Sequence, residues 1–294
     1  MATTPALLAH LVDSATVDID GDRRLGDALA KHRSDRAAWY GQLIGLLVVR
    51  ASSAGELERS GVAAGLELAV IADTGLDRLA GAVAVLRRAG AHVGRAEAAV
   101  AKRGEDPVPG LRRLLAMADS LAEGERPAAL HAEIPLTGGL LDALDVIAEA
   151  ACPVTLGASF RVGGLAGELF PPPTMLAGVI CACRDRGLPF SVSAGLDRAI
   201  RHNDHETGFA HHGVLNMLAA CLAAAGGAAA PVVAERLASN DPTSLVQTTL
   251  DARDMPRPLW TGYASADLAD LVHDLTLHDV LSSENWAGEA VAPE

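Results

Sequence analysis

Short apolar runs alternate with longer stretches that carry apolar residues at helical spacing along most of the chain. Leu43 to Arg50 (LIGLLVVR), Leu66 to Asp73 (LELAVIAD), His92 to Val100, Ala128 to Pro135 (AALHAEIP), Val154 to Arg161 (VTLGASFR) and Pro189 to Ala194 are brief and bounded by glycine, proline or charge, which predicts six strands. Between them, Leu76 to Ala89, Pro109 to Leu121, Leu140 to Ala151 and Thr174 to Arg186 read as helices. A repeated strand-then-helix unit is the pattern of a parallel sheet with crossover helices.

Past Asn216 the pattern predicts helices at Val214 to Ala225 and Pro231 to Ala238, a seventh strand at Ser244 to Leu250, an eighth at Leu259 to Ala264 and a helix at Asp267 to Leu275. Eight strands would close a (β/α)₈ barrel of the TIM type. The alternative is an open doubly wound parallel sheet, whose first strand would lead into a glycine-rich turn; Arg50-Ala-Ser-Ser-Ala-Gly55 does not match GxGxxG. Residues 1–40 precede the first of these strands. With helical stretches at Pro5 to Val12 and Leu25 to Arg36, they read as a helical N-terminal extension. Glu284 to Glu294 reads as a frayed tail, and the absence of a linker or internal repeat predicts one domain over 1–294.

Composition narrows the function. Half of the 294 residues are apolar but 3% are aromatic, so the core is built from Ala, Leu and Val. A formal charge of −13 disfavours nucleic acid and anionic membrane as partners. No basic leader or apolar run of bilayer length is visible, and the four cysteines, Cys152, Cys181, Cys183 and Cys221, lack paired spacing; the expectation is a cytoplasmic protein with reduced thiols. Ala- and Leu-rich helical faces predict a homo-oligomer, in the simplest case a homodimer. Lys31 and Lys102 are the lysines of this arginine-rich chain, and neither closes a convincing strand, which argues against imine chemistry.

In a parallel barrel, chemistry sits at the C-terminal strand ends. These ends carry Arg50, Asp73, Glu97, Glu133, Ser159 with Arg161, and Ser191 with Ser193. Alternation in LHAEI sets His131 and Glu133 on one face, opposite Leu130, Ala132 and Ile134, so both are expected inside the barrel. Glu133 is the candidate general acid or base, or else the structural partner of Arg161 on the next strand. Arg161 opens RVGG, where a guanidinium fork and the backbone of Gly163 and Gly164 could hold a carboxylate or phosphate. Gly138 and Gly139, before the helix at Leu140, are a weaker version of the same signal.

The loop from Leu196 to His212 holds His202, Asp204, His205, His211 and His212. Neither HxH nor HExxH spacing is present, so no metal site is expected. His202 and His212 are candidate bases or hydrogen-bond donors. Asn216, one helical turn after His212, could orient the ring or contact substrate. His205 and His211 read as solvent-exposed, with Asp204 capping a turn.

The segments SFRVGG, AGLDRAIRH and HHGVLN resemble a family of uncharacterised bacterial barrel-like proteins with K-x-R-x-G-G, A-G-L-H-H and H-G-x-L-N segments, a likeness covering about half of the chain. The resemblance implies a site at Arg161, Gly163, Gly164, His202, His212, Gly213 and Asn216 and brings no known activity. Ser159 stands where the pattern has lysine, and Asp197-Arg198 where it has two histidines, which implies a changed or lost function. The resulting expectation is an enzyme acting on a small carboxylate or phosphate metabolite by acid-base chemistry, a lyase or isomerase that needs no cofactor. Glu133, His202 and His212 would be catalytic, with Arg161, Gly163, Gly164, Ser193, Asn216 and Asp73 binding substrate. The alternatives are a ligand-binding or scaffolding barrel without turnover and a phosphoribosyl-transferring barrel using Mg²⁺ at Asp73 and Glu97.

Overall fold

The computed structural model describes residues 4–283 except 16, 19, 20, 23 and 24. Eight parallel strands close a barrel in the sequence order of the chain: β1 (Val12–Ala15), β2 (Ile44–Arg50), β3 (Glu67–Ile71), β4 (His92–Ala99), β5 (Ala129–Glu133), β6 (Thr155–Arg161), β7 (Phe190–Ser193) and β8 (Trp260–Ser265). Closure is made by β1, which pairs in parallel with β8 through Val12 and Tyr263 and with β2 through Ser14 and Leu47. The helices α1 (Leu25–Ala37), α2 (Ala54–Ser60), α3 (Leu76–Arg88), α4 (Pro107–Ser120), α5 (Leu140–Glu149), α6 (Pro173–Asp185), α7 (Val214–Ala225), α8 (Ala230–Ala238), α9 (Pro242–Asp251) and α10 (Ala269–Leu277) surround it. The fold is the TIM barrel. None of the described helices is long and apolar enough to cross a membrane.

The packing follows from strand alternation. Outward residues such as Val70, Leu130, Ala132, Phe160, Phe190 and Val192 are buried against the helices, and the Phe160 and Phe190 rings meet across β6 and β7 with centroids 6.0 Å apart. Inward positions are more polar. Asp13, Arg95, Glu97, His131, Ser159 and Ser191 are all buried and joined by hydrogen bonds or ion pairs that cross the interior. Burial without such partners would be costly, so these contacts fix one another.

Two expectations are corrected. Residues 1–40 are not an extension: Pro5 to Val12 forms a single 3₁₀ turn at Ala6–Leu8 and then enters β1, and α1 is the first helix of the barrel. Ser244 to Leu250 is helical, because Asp241 caps α9 by accepting from Thr243 N and Pro242 occupies its first turn. That places Trp260–Ser265 directly after β7 in the barrel, with α7, α8 and α9 all inserted between the two strands. The tail expected from Glu284 lies outside the described residues.

Candidate functional site at the barrel mouth

The C-terminal strand ends open into a cavity of about 640 Å³, with Arg95 and Glu97 in its lining and Asp73, Glu133, Arg161, Ser193 and Asp197 also around it. Four of the expected site residues therefore converge: Asp73, Glu133, Arg161 and Ser193. A neighbouring cavity of about 440 Å³ lies on the β5–β6 side and is lined by Leu136, Leu169, Phe170, Pro171, Pro172 and Met175. Glu133 and Arg161 line both cavities. Glu133 Oε1 accepts from Arg161 Nε at 3.3 Å, so the pairing anticipated across β5 and β6 is present. It is an open pair, with half of the Arg161 side chain exposed.

Beneath this pair the interior is tightly bonded. Arg95 Nη2 donates to Asp13 Oδ2 at 2.6 Å, and its Nε lies 3.5 Å from Glu97 Oε2. Ser159 Oγ donates to Glu97 Oε1 at 2.7 Å. Burial pushes the Glu97 carboxyl above the ordinary carboxylate range, against the opposing pull of Arg95 and Ser159. His131 Nδ1 lies 2.9 Å from Ser191 Oγ, and burial, reinforced by Arg95, brings its pKa down to about 3, so the ring is neutral. The ring fits because β6 has glycine at the facing position: a Cβ on Gly157 would stand 2.6 Å from His131 Nε2. Asp13 and Arg95 were missed as site residues in the sequence. Asp13 was hidden by the helical reading of Pro5 to Val12, whereas Arg95 two positions before Glu97 is an alternation signal that was available.

Asp73 is held at the rim, accepting from Ser52 N at 3.0 Å and from the Ser52 hydroxyl; burial alone would raise its pKa, but these bonds bring it below the usual range. Both carboxylates of the expected Mg²⁺ pair thus have protein partners. Among the described residues no group of three or more His, Cys, Asp or Glu side chains is arranged to hold a metal ion. Ser193 also lines the cavity, and its Oγ is buried with no hydrogen-bond partner among the described residues.

Gly163 and Gly164 have a packing reason. A Cβ on Gly163 would stand 2.5 Å from the Gly195 backbone, and one on Gly164 would stand 2.5 Å from Leu169 Cδ1. The loops after β6 and β7 cross here, helped by left-handed backbone at Ala194 (φ 61°) and Gly195 (φ 70°). Neither RVGG glycine lines the two cavities.

The histidine loop sits to the side of the mouth. His202 and His211 pair in a two-residue antiparallel ladder, 202–203 with 210–211, and their rings lie 5.1 Å apart. His202 is half-buried and its pKa is lowered by burial. His211 is not the exposed residue expected: its Nδ1 lies 2.9 Å from Asp197 Oδ2 and its ring is 4.6 Å from Phe170. His205 is exposed as expected, and Asp204 caps the turn by accepting from Glu206 N and Thr207 N. His212 is fully buried. Its Nε2–H donates to the Pro171 carbonyl at 2.8 Å, and burial lowers its pKa to about 4. Asn216 is a buried clamp: Oδ1 accepts from Arg201 N, while Nδ2 donates to the carbonyls of Arg236 and Ser239, each at 2.8 Å. His202, His212 and Asn216 line neither cavity; His211 and His212 support Phe170 and Pro171 of the smaller one from behind.

No family model matches the chain, and no curated protein sequence does. Among solved structures, the chain is similar to a deoxyribose phosphate aldolase from Aeropyrum pernix described as a tetramer, with a TM-score of 0.50 and 11% identity over 92% of this chain and 91% of that one. At that identity the likeness shows the barrel fold alone.

Proposed function

We propose that this barrel is an enzyme that moves a proton on a small, singly anionic metabolite, in a lyase or isomerase reaction. The observation that carries the reading is Glu97: a carboxyl in the lining of the mouth cavity, buried and fixed by Ser159 and Arg95 at a depth where a bound molecule would reach it. Two carboxyls in different settings are the arrangement that divides acid from base. Glu97, biased by burial towards its neutral form, is the acid; Glu133, at the open edge, is the base. Arg161 anchors the anion as Glu133 turns to the substrate, and Ser193 supplies a further hydrogen bond. One negative charge suits the site better than two, because Asp73, Glu97, Glu133, Asp197, Asp267 and Asp270 outnumber Arg95 and Arg161 around the cavity. An imine route has no support here, since Lys31 is tied to Asp35 outside the barrel and Lys102 is exposed beyond β4. His202 and His212 have no part in this chemistry, and the aldolase likeness does not choose the substrate.

The test is solvent deuterium incorporation into a panel of 2-oxo and 3-oxo monocarboxylates, followed by NMR. Wild-type protein should label at least one carbon next to a carbonyl, and Glu97→Gln should slow labelling by about 100-fold or more. The second reading, a binding barrel without turnover, is favoured by Ser159 occupying the inward position where the resembling family has lysine. Saturable carboxylate binding with no labelling across the panel would replace the first reading with the second.

A further inference from the structure

We infer that the cavity beside the mouth is a subsite for an apolar part of the same substrate, so that the ligand is a monocarboxylate carrying an aryl or alkyl tail. The inference rests on the reading of the mouth as the polar site and adds the substrate class to it. Three observations support it. First, the two cavities are continuous in their walls: Glu133 and Arg161 line both, so a molecule whose charged group meets Arg161 has its remainder directed along either one. Second, the apolar side chains of the annex are large and grouped on one wall. The mouth carries six carboxylates around it, whereas the annex has one continuous apolar wall of Leu136, Leu169, Phe170, Pro171, Pro172 and Met175, with Arg103 and Glu168 as its charged residues besides the shared Glu133 and Arg161, and its 440 Å³ suits a ring or short chain. Leu136, Leu169 and Phe170 are only half-buried and Met175 is 46% exposed, leaving apolar surface uncovered on this wall. Third, the segments that follow the same two strand ends carry further exposed apolar side chains outside the annex lining, Leu165 (77% exposed) on the loop after β6 and Leu141 (55% exposed) at the start of α5.

The wall is also built to keep its shape. Phe170 is held between Phe209 (5.1 Å) and His211 (4.6 Å), and the Pro171 carbonyl is held by His212, so the apolar face is backed by fixed groups. A preformed apolar pocket of this kind gains affinity from apolar area with little ordering cost.

The experiment compares propanoate with 3-phenylpropanoate by calorimetric titration of the full chain, in wild type, Met175→Trp and Leu169→Trp. The phenyl compound should bind wild type at least tenfold more tightly, and both substitutions should erase the advantage while leaving propanoate affinity unchanged. Equal affinity for the two acids, or an advantage that survives both substitutions, overturns the inference. A neutral fluorescent probe, N-phenyl-1-naphthylamine, separates this from the anion reading. If neither acid binds but the probe does and is excluded by Met175→Trp, the annex stands and the anion site falls; if acids bind and the probe binds both variants as it does wild type, the annex falls alone.

Discussion

Ser159 on β6 donates to Glu97 on β4 at 2.7 Å, reaching past the whole of β5 through the barrel interior. This bond helps to fix the carboxyl, because both residues are buried and, among the described residues, Glu97 has no other close donor except Arg95. Ser159→Ala removes the donor and leaves a buried carboxyl oxygen unpaired. A loss of about 1–3 kcal/mol in unfolding free energy is expected from denaturant titration. A variant as stable as wild type would show that the bond contributes nothing to holding Glu97.

Glu133 and Arg161 call for a different expectation. Their side chains are 26% and 50% exposed and 3.3 Å apart, so water screens the pair and its net contribution to stability is small. Glu133→Gln should therefore change the unfolding free energy by less than about 1 kcal/mol. If Glu133 is the base, deuterium labelling should still fall by about 100-fold. Arg161→Ala should abolish carboxylate-induced thermal stabilisation with a similarly small effect on the unliganded protein. Full ligand stabilisation in that variant would move the anion site away from Arg161.

The barrel was legible because six strands each announced themselves as apolar runs between breakers, and because LHAEI fixed which side chains turn inward. Where the reading slipped, local signals competed. LLAHLV has helical spacing, yet β1 is needed to close the sheet, and tertiary pairing with β8 and β2 decides the matter. In Ser244 to Leu250 the β-branched Val246, Thr248 and Thr249 outweighed the Asp241-Pro242 start signal, which was the better guide. The site divided in the same way. Alternation implied that Asp73, Glu133, Arg161 and Ser193 gather at the mouth, where the structure has them, whereas Arg50 and Ser191 line neither cavity and His212 and Asn216 lie beyond the strand, just before and on a helix. Their burial depends on α8 and the Pro171 loop, contacts that no sequence spacing reveals.

Gly163 distinguishes loop packing from ligand binding. A methyl group there would overlap Gly195 backbone, which cannot yield as a flexible side chain would. Gly163→Ala should lower stability by about 1–3 kcal/mol, read as a drop in melting temperature without any ligand. Unchanged stability combined with weaker carboxylate binding would restore the anion role expected from RVGG.

His212 makes the fold sensitive to acid. In the folded chain its pKa is about 4, against 6.5 for an ordinary histidine, because burial disfavours the charged ring. The unfolded chain therefore takes up a proton first as the pH falls. The stability this group contributes is complete above 6.5 and is lost progressively as the pH drops towards 4. Between about pH 7 and pH 5 the loss from this one residue should be about 2 kcal/mol, at roughly 1.4 kcal/mol for each unit. His131, with a pKa of about 3, adds a loss of the same sign. In His212→Gln, whatever its stability at neutral pH, denaturant midpoints should change less between those two pH values than in wild type. An identical pH dependence in the two proteins would mean that His212 takes up its proton as readily in the folded chain as in the unfolded one, and that the ring behind Pro171 is open to water.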